Sequence, residues 1–406
     1  MPSSPQWVFD RFRLDPDHAC LWRGAEVLAL PPKAFDLLHY FVRHPDRVLL
    51  LCLMARCQDD RGKGDPMDLY TFLKRLPKVS LHVHLAGTVQ PSTLVELASK
   101  NGVALPAYRE PADLYDYPDM YQFLTMLDLV MASVRDRADF HRITYETLQQ
   151  AAEHGVRHRE MFWNPTTHMA CGVPYATAVD GIIEGIRDAR ADFGIQCFLI
   201  AAINRKGTPE LGLEIVQTVL AHPREEVVGI GMDYAEPEHP PEKFWKAYRL
   251  AGERGLRRTA HASEDAPARN VETCLDLLGC ERIDHGYHVL EDEWITTRCA
   301  DQGVVFSCCP RSTARVYFGQ DLTRHPIREM ARRRLKIMVD CDDPPMFQTD
   351  PTSDYVALAE HMGFGPEDFR EFVLNGIDGS WLDDSTKRHW RREWSREIDA
   401  LIAQLD

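Results

Sequence analysis

The chain has 406 residues, of which 44% are hydrophobic and 27% are charged, and its formal net charge is −15 at pH 7. This length suits one barrel-sized domain with an appendage, and the composition is that of a folded globular protein. The negative charge argues against a surface built for phosphate backbones or anionic membranes. Neither nucleic acid nor a membrane is therefore an expected partner.

The terminus and the cysteine pattern favour a cytoplasmic location. The first residues, MPSSPQWVFDRFRLD, lack the basic start and apolar core of a signal peptide. The longest apolar stretch, residues 48–55, is too short to span a bilayer. The 11 cysteines include no CxxC pair, and an odd number without a secretion signal is typical of reduced cytoplasmic thiols.

Residues 1–57 are predicted to form a small α+β appendage. Alternating segments around 12–14, 19–22 and 27–30 predict short antiparallel strands, and the prolines at 31–32 predict the start of a helix. The apolar residues at helical spacing in that helix are Phe35, Leu38, Tyr40 and Phe41. This small sheet followed by a helix resembles the first half of the winged-helix DNA-binding domain of bacterial response regulators.

The resemblance to a winged helix ends near Leu50, before any segment that could serve as a recognition helix. Residues 1–66 carry nine basic and nine acidic residues, so no basic face for DNA is indicated. We therefore expect an incomplete winged-helix-like unit that is a structural remnant or a packing arm.

The polar stretch 58–66, QDDRGKGDP, is predicted to be a linker, which leaves 67–406 as a second unit. In this unit apolar runs alternate with longer helical patterns. The predicted strands are 79–82, 159–163, 197–202, 227–232, 257–260, 282–284, 304–307 and 336–339. The predicted helices include 176–193, 209–221, 241–253 and 322–333. Eight strands separated by helices predict an α/β fold, a parallel (β/α)₈ TIM barrel.

Histidines and carboxylates follow four of the predicted strands, at the end where barrel enzymes keep their active residues. His82 and His84 lie two apart on a strand and so point to the same side. The other clusters are HASE at 261–264, HG at 285–286 and DCDDP at 340–344. Three histidines with one carboxylate are a zinc set that leaves a position for water. A capping histidine or a turn aspartate explains one such cluster, but not four at one end of a barrel.

Four segments, in this order and spacing, resemble the adenosine deaminase family, which includes adenosine and adenine deaminases. They are KVSLHVHLAG (78–87), RRTAHASED (257–265), RIDHGYH (282–288) and DCDDP (340–344). The resemblance covers about residues 67–382 and implies a barrel of the metal-dependent hydrolase type with one Zn²⁺ per chain. The implied metal ligands are His82, His84, His261 and Asp342.

The resemblance also implies roles for three further residues. Glu264 is the implied proton donor to the purine ring, His285 assists the metal-activated water, and Asp343 contacts the substrate ring. Zinc brings the pKa of water from about 15.7 to about 7, an imidazole can take the proton of that water, and a carboxylic acid can protonate a ring nitrogen. The implied reaction is hydrolytic deamination of a 6-aminopurine: adenine to hypoxanthine, or adenosine to inosine, with release of ammonia.

Two features bear on which aminopurine is the substrate. The segments 227–244, VVGIGMDYAEPEHPPEKF, and 324–347 are closer to the adenine deaminase branch of the family. Ala86 stands where the family commonly has an acid. In adenosine deaminases that acid binds the ribose hydroxyl, and adenine deaminases usually carry Glu there; alanine accepts no such bond. We therefore expect adenine before adenosine, and the missing acid leaves room for a modified aminopurine. Asp340 stands where asparagine is common.

Other functions remain open at this point. A different amidohydrolase-type barrel with two metal ions usually needs a bridging lysine from a central strand, and 197–202 contains none. The start of a winged helix motivates a DNA-binding regulator that senses a purine. A further hypothesis is that the native enzyme begins at Met67. The Cys308–Cys309 pair is expected to be structural, and no feature of the sequence specifies an oligomeric state.

Overall fold

The computed structural model describes residues 7–9, 12–15, 20–23, 26–28 and 67–405. The chain divides into two compact units, 1–65 and 66–406. In the first unit, four strands form one antiparallel sheet in sequential order. They are β1 Trp7–Phe9, β2 Phe12–Asp15, β3 Cys20–Arg23 and β4 Glu26–Leu28. The three predicted strands are therefore present. The predicted helix after Pro31 and the predicted linker lie outside the described residues.

The second unit is built on parallel strands, as predicted. They are β5 Lys78–His84, β6 Val156–Trp163, β7 Gln196–Asn204, β8 Val227–Asp233, β9 Arg257–Arg258, β10 His261–Ala262, β11 Ile283–His285, β12 Val305–Cys308 and β13 Lys336–Val339. Because β9 and β10 are two pieces of one interrupted strand, the described segments of this unit make eight strands. Every residue of β5 is buried, which is typical of a barrel strand covered on both faces.

Hydrogen bonds join β5 to β9 in one parallel sheet and β10 to β13 in another. The two sheets meet at both edges. Between β9 and β10, the amide of Thr259 donates to the carbonyl of Ile230 at 3.1 Å. On the other edge, Val83 pairs in parallel with Asp342, and the amide of His84 donates to the carbonyl of Asp342 at 3.0 Å. The result is the predicted (β/α)₈ barrel.

Helices follow the strands and cover the outside of the barrel. They are α1 Leu69–Arg75, α2 Pro91–Asn101, α3 Met120–Ser133, α4 Arg137–Glu153, α5 Pro165–Ala170, α6 Tyr175–Phe193, α7 Pro209–Ala221, α8 Trp245–Glu253, α9 Arg269–Asp276, α10 Glu293–Gln302, α11 Pro310–Tyr317, α12 Ile327–Arg332, α13 Ser353–Met362, α14 Pro366–Gly379 and α15 Asp384–Ile402. Short 3₁₀ turns lie at Ala86–Thr88, Pro111–Tyr115, Pro241–Phe244, Tyr287–Glu291 and Leu322–Arg324. Among the described residues, no helix combines the length and the apolar character needed to cross a membrane.

Two of the predicted helices are divided in the structure. The predicted helix 241–253 begins as a 3₁₀ turn and becomes α8 only at Trp245. The prediction of one helix over 322–333 is wrong, because a 3₁₀ turn ends before His325 and α12 starts at Ile327. Pro326 lacks an amide hydrogen and disfavours helical geometry at the preceding residue. His325 is accordingly extended, with φ −68° and ψ 132°.

Candidate active site

Three imidazoles and a carboxylate converge at the carboxyl ends of the barrel strands. Nε2 of His261 lies 3.2 Å from Nε2 of His82 and 3.1 Å from Nε2 of His84. Oδ1 of Asp342 lies 3.5 Å and 3.3 Å from the same two nitrogens. A tetrahedral zinc ion with bonds of about 2.0–2.1 Å holds its ligand atoms roughly 3.3–3.4 Å apart. The four donor atoms have this spacing, so the residues fit a divalent metal ion. We call these four residues the metal set.

Oxygen atoms lie behind all three imidazoles of the metal set. The nearest oxygens to Nδ1 are the Ser307 hydroxyl for His82 at 3.0 Å, Asp233 Oδ2 for His84 at 3.5 Å and Asp284 Oδ2 for His261 at 3.6 Å. Groups in this position fix the tautomer and the orientation of a ligand histidine, so that its other nitrogen faces the metal. These three residues were not predicted from the sequence, because their role depends on contacts across strands.

Asp284 is itself held in place inside the barrel. The hydroxyl of Ser307 donates to its Oδ1 and the hydroxyl of Thr259 donates to its Oδ2, both at 2.8 Å. Burial opposes ionisation of Asp284, but the His261 and His82 imidazoles outweigh it and hold the pKa of this carboxyl well below its usual range. A carboxylate that stays charged behind His261 strengthens that imidazole as a ligand.

Non-glycine residues at the strand ends, among them Ser263, His285 and Asp342, adopt the left-handed backbone conformation. The φ angles are 56° for Ser263, 66° for His285 and 64° for Asp342. Such conformations cost of order 1 kcal/mol each and persist where the surroundings hold them in place. At Asp342 the hydroxyl of Ser312 donates to Oδ2 at 2.8 Å, which leaves Oδ1 facing the histidines.

Glu264 and His285 lie next to each other beside the metal set, and we call them the acid–base pair. Oε2 of Glu264 lies 3.5 Å from Nε2 of His285. Burial, with the nearby Asp342 carboxylate, raises the pKa of Glu264 well above its ordinary value. Burial, with the His82 and His261 imidazoles, lowers the pKa of His285 well below its ordinary value. A proton donor and a proton acceptor therefore stand next to each other.

A second glutamate positions the loop that carries Glu264. The amides of Ser263 and Glu264 donate to the two oxygens of Glu236 at 2.8 and 2.9 Å. The Asn270 amide group donates to the same carboxylate at 2.7 Å, and Nη1 of Arg205 lies 3.6 Å away. Glu236 was not predicted as a site residue, although it lies within the 227–244 segment that the sequence analysis singled out.

Asp343 is a buried carboxyl without a hydrogen-bond partner at Oδ1. A Cβ on Gly87 would lie 1.6 Å from this oxygen, so only glycine fits there. Burial, with the charge of Asp342, raises the pKa of Asp343 well above its ordinary value. Buried polar atoms in proteins are nearly always paired, and an open one at the active site points to a ligand.

The site opens into a cleft whose empty space, part of which is open to solvent, is about 480 Å³. Six of the seven predicted site residues line it, and the seventh, His82, contacts them from behind. One wall is apolar, formed by Met120, Phe123, Leu124, Leu127, Val316 and Phe347. No lysine or arginine is among the described residues that line this cleft.

The fold and the donor atoms together define a metal-dependent barrel hydrolase. Comparison with known proteins identifies the family of hydrolases to which the chain belongs. The adenosine deaminase family model matches residues 77–395. The chain is 32% identical over 336 residues to an adenine deaminase from Vibrio parahaemolyticus, a match that covers 82% of this chain and 98% of that relative. The chain belongs to the adenosine deaminase family.

Two solved structures are similar over most of their length. An amidohydrolase from Burkholderia ambifaria with bound zinc is 40% identical with a TM-score of 0.77, covering 84% of this chain and 96% of that one. The adenine deaminase from Arthrobacter aurescens is 34% identical with a TM-score of 0.76, covering 80% of this chain and 99% of that one.

Proposed function

We propose that this protein hydrolyses the 6-amino group of adenine to give hypoxanthine and ammonia, with one Zn²⁺ per chain held by the metal set. The observation that carries the proposal is the position of Glu264 and His285, 3.5 Å apart beside that set. The adenine deaminases that resemble the chain over most of its length support the reaction. The zinc-bound amidohydrolase supports the metal.

The residues of the site divide the proton transfers between them. Bound zinc supplies Lewis-acid activation of water, whose pKa falls from about 15.7 to about 7. His285, neutral at Nε2, accepts the proton of the attacking water and passes it to the departing amine. Glu264 donates its proton to N1 of the ring, which relieves the negative charge that attack at C6 builds up, and it regains a proton from the new C6 hydroxyl as ammonia leaves and the carbonyl forms. The neutral carboxyl of Asp343 donates a hydrogen bond to N7 and so holds the ring in position.

The lining of the cleft favours a free base over a nucleoside or nucleotide. Ala86, which lies outside the described cleft lining, stands where the family resemblance places the acid that binds a ribose hydroxyl, and it provides no acceptor. A phosphate group would also lack a cationic partner among the described lining residues. The apolar wall of Met120, Phe123 and their neighbours favours a second candidate substrate, an aminopurine that carries an apolar substituent.

Two other functions fit the site less well. Strand β7 contains no lysine that could bridge two metal ions, which disfavours a two-metal hydrolase of the amidohydrolase type. A DNA-binding purine sensor needs a basic recognition element, whereas residues 1–66 are balanced in charge.

Steady-state assays on purified, zinc-loaded protein test the proposal. The panel is adenine, adenosine, AMP and N6-alkylated adenines, followed by ultraviolet absorbance and ammonia release. We expect kcat/KM for adenine to exceed that for adenosine and AMP by at least about 100-fold, because a missing polar partner costs roughly 1–3 kcal/mol per lost bond. A metal-loaded protein that is silent on the whole panel would refute the proposal, and a preference for the alkylated bases would support the second substrate.

A further inference from the structure

A polar cavity lies on the outer side of the barrel wall, between helix α4, strand β6 and the segment that follows β13. Its empty space, part of which is open to solvent, is about 490 Å³. Among the described residues, it shares no lining residue with the active-site cleft. We call it the α4 cavity, and the proposed deamination does not use it.

Arg159 brings a buried positive charge to the α4 cavity. It lies on β6, is only 2% exposed and lines the cavity. Its Nε donates to the Ser80 hydroxyl at 3.1 Å, and its Nη1 donates to the Thr147 hydroxyl at 2.9 Å. Nη2 forms no hydrogen bond with any described residue of the chain. Because buried polar atoms nearly always have a partner, this nitrogen is available to a molecule in the cavity.

The guanidinium of Arg159 has no direct carboxylate partner among the described residues. Its hydrogen bonds reach Asp340 only through Ser80, whose hydroxyl donates to Oδ1 of Asp340 at 3.1 Å. Asp340 also accepts from the amides of His82 and Cys341 at 2.8 and 2.9 Å, so its charge is shared among several donors. A buried charge without a direct counter-ion is costly, and an anion in the cavity would offset that cost.

A second donor lines the α4 cavity, and its one carboxylate among the described lining residues is already occupied. Nε2 of Gln90 donates to Oε1 of Gln150 at 3.0 Å, and Nε2 of Gln150 bonds to no described residue. The carboxylate is Asp350. Its Oδ1 accepts from the amides of Thr352 and Ser353, both at 2.8 Å, and its Oδ2 accepts from the Ser353 hydroxyl at 2.6 Å. Asp350 is therefore engaged with the start of α13.

We propose that the α4 cavity binds a small oxyanion, a phosphate or carboxylate group, through Nη2 of Arg159 and the side-chain amide of Gln150. A guanidinium forms short, charge-assisted hydrogen bonds with such oxygens, and it does so more strongly where water is excluded. An amide group adds a neutral donor to the same ligand. A cation has no open carboxylate to bind among the described lining residues, so the cavity selects for negative charge.

Calorimetry on the full chain, loaded with zinc, tests the proposal. The protein is titrated with inorganic phosphate and, separately, with acetate, while chloride keeps the ionic strength constant. We expect saturable binding of one anion per chain and an unfolding temperature that rises with the anion concentration, because a ligand that binds only the folded state stabilises it. The two titrations show which oxyanion is preferred. Saturable binding of neither anion would overturn the proposal.

Two neighbouring substitutions on α4 locate the bound anion. Gln150→Glu still accepts from Gln90 but replaces the amide donor by a negative charge, and it should raise the anion dissociation constant at least about tenfold. Gln149→Glu is the matched control, because it makes the same change at a half-buried residue that does not line the cavity, and it should bind as the parent does. Equal dissociation constants for these two variants would overturn the proposal.

Arg159→Gln removes the buried charge and should abolish saturable binding. If this variant does not fold, the two glutamate variants on the partly exposed face of α4 still decide the question. An anion bound at the zinc ion instead would have the same affinity in both glutamate variants, which is the overturning result. Binding in the α4 cavity does not rest on the proposed function, since calorimetry needs no substrate, and failure of either leaves the other untouched.

Discussion

Burial acts in opposite directions on Glu264 and His285. It raises the pKa of the acid and lowers that of the base, because each group loses the hydration of its charged form. Both shifts favour the neutral form of the group, and the two side chains lie 3.5 Å apart. A neutral carboxylic acid can give a proton to a ring nitrogen, and a neutral imidazole can take one from water.

Replacing the acid by its amide tests the role of Glu264. Glu264→Gln keeps the shape of the side chain but has no proton to give, so we expect kcat on adenine to fall about 10²–10⁴-fold while one metal ion per chain is retained. Steady-state kinetics and elemental analysis check this. Glu253→Gln, on the exposed surface of α8, is the control and should match the parent. Activity of Glu264→Gln within a few-fold of the parent would remove Glu264 from the mechanism.

The pH profile follows from the same two groups. The active form has Glu264 protonated and His285 neutral. Because the pKa of His285 is below its ordinary 6.5, activity should persist below pH 6.5 and decline only as the imidazole gains a proton. Because the pKa of Glu264 is far above its ordinary 4.5, the alkaline decline should come where that carboxyl ionises. A plateau of kcat/KM through neutral pH is expected; a maximum confined to pH below 5 would contradict it.

The carboxylate behind His261 should control the affinity for the metal. Asp284→Asn keeps the size of the side chain but removes the charge next to Nδ1, and we expect the metal dissociation constant to rise about 10–100-fold. Competition with a chelator measures this constant. Asp276→Asn, which alters a surface ion pair with Arg298, is the control. An unchanged affinity in Asp284→Asn would show that the 3.6 Å contact has no part in holding the metal.

Sequence reasoning predicted the residues that face the cleft but not those that support them. His82 and His84 were predictable because alternate residues of a strand point to one side. Asp233, Asp284 and Glu236 act through neighbours that are distant in sequence, and their spacing along the chain carries no such signal. Asp284 directly precedes His285, yet only the strand register shows that its carboxylate reaches His261.

At the level of elements, the strands were more predictable than the helices. Several barrel strands, among them β7, β8 and β12, are short and largely apolar, and burial on both faces leaves this signature in the sequence. The one interruption, between β9 and β10, falls at Thr259 and Ala260 and leaves no mark in composition. The predicted helix 322–333 is interrupted at Pro326, because proline has no amide hydrogen to donate within a helix, even though the surrounding residues have helical spacing.

Lys78 joins two helices to the first barrel strand. Its Nζ donates to the carbonyls of Leu73, Leu76 and His154 at 2.5, 3.0 and 2.8 Å. These carbonyls lie at the carboxyl ends of α1 and α4, where helix dipoles place partial negative charge. Burial lowers the pKa of Lys78 to about 7, but three acceptors around one nitrogen favour the ammonium form.

Removing this ammonium should destabilise the barrel. Lys78→Met fills the same volume but leaves three buried carbonyls without a donor, and we expect the free energy of unfolding to fall by about 2–4 kcal/mol. Denaturant unfolding measures the change. Lys74→Met, at an exposed position of α1, should stay within about 0.5 kcal/mol of the parent. If the two variants are equally stable, the hydrogen bonds from Lys78 to these carbonyls do not stabilise the barrel more than hydrogen bonds from water would.

At the scale of the whole molecule, the described residues of the proposed site all belong to the second unit. Every described residue of the metal set, the acid–base pair and the cleft lies between 82 and 347. The family match starts at residue 77, beyond the end of the first unit. The first described residue of the second unit is held by its last helix region: the amide of Met67 donates to the carbonyl of Gln404 at 2.7 Å, and Met67 pairs with Leu405.

Deleting residues 1–66 should therefore leave the enzyme intact. We expect kcat/KM on adenine and the unfolding temperature of the barrel to stay close to those of the full chain. The reason is that the described residues of the second unit begin at Met67, so all of them are retained. A deletion of residues 1–76 is the contrasting control: it also removes α1 with the buried Phe72 and Leu73, and losing such side chains costs about 2–5 kcal/mol each. If the shorter deletion is already insoluble or inactive, residues 1–66 are integral to the enzyme, and the hypothesis that the native chain begins at Met67 is wrong.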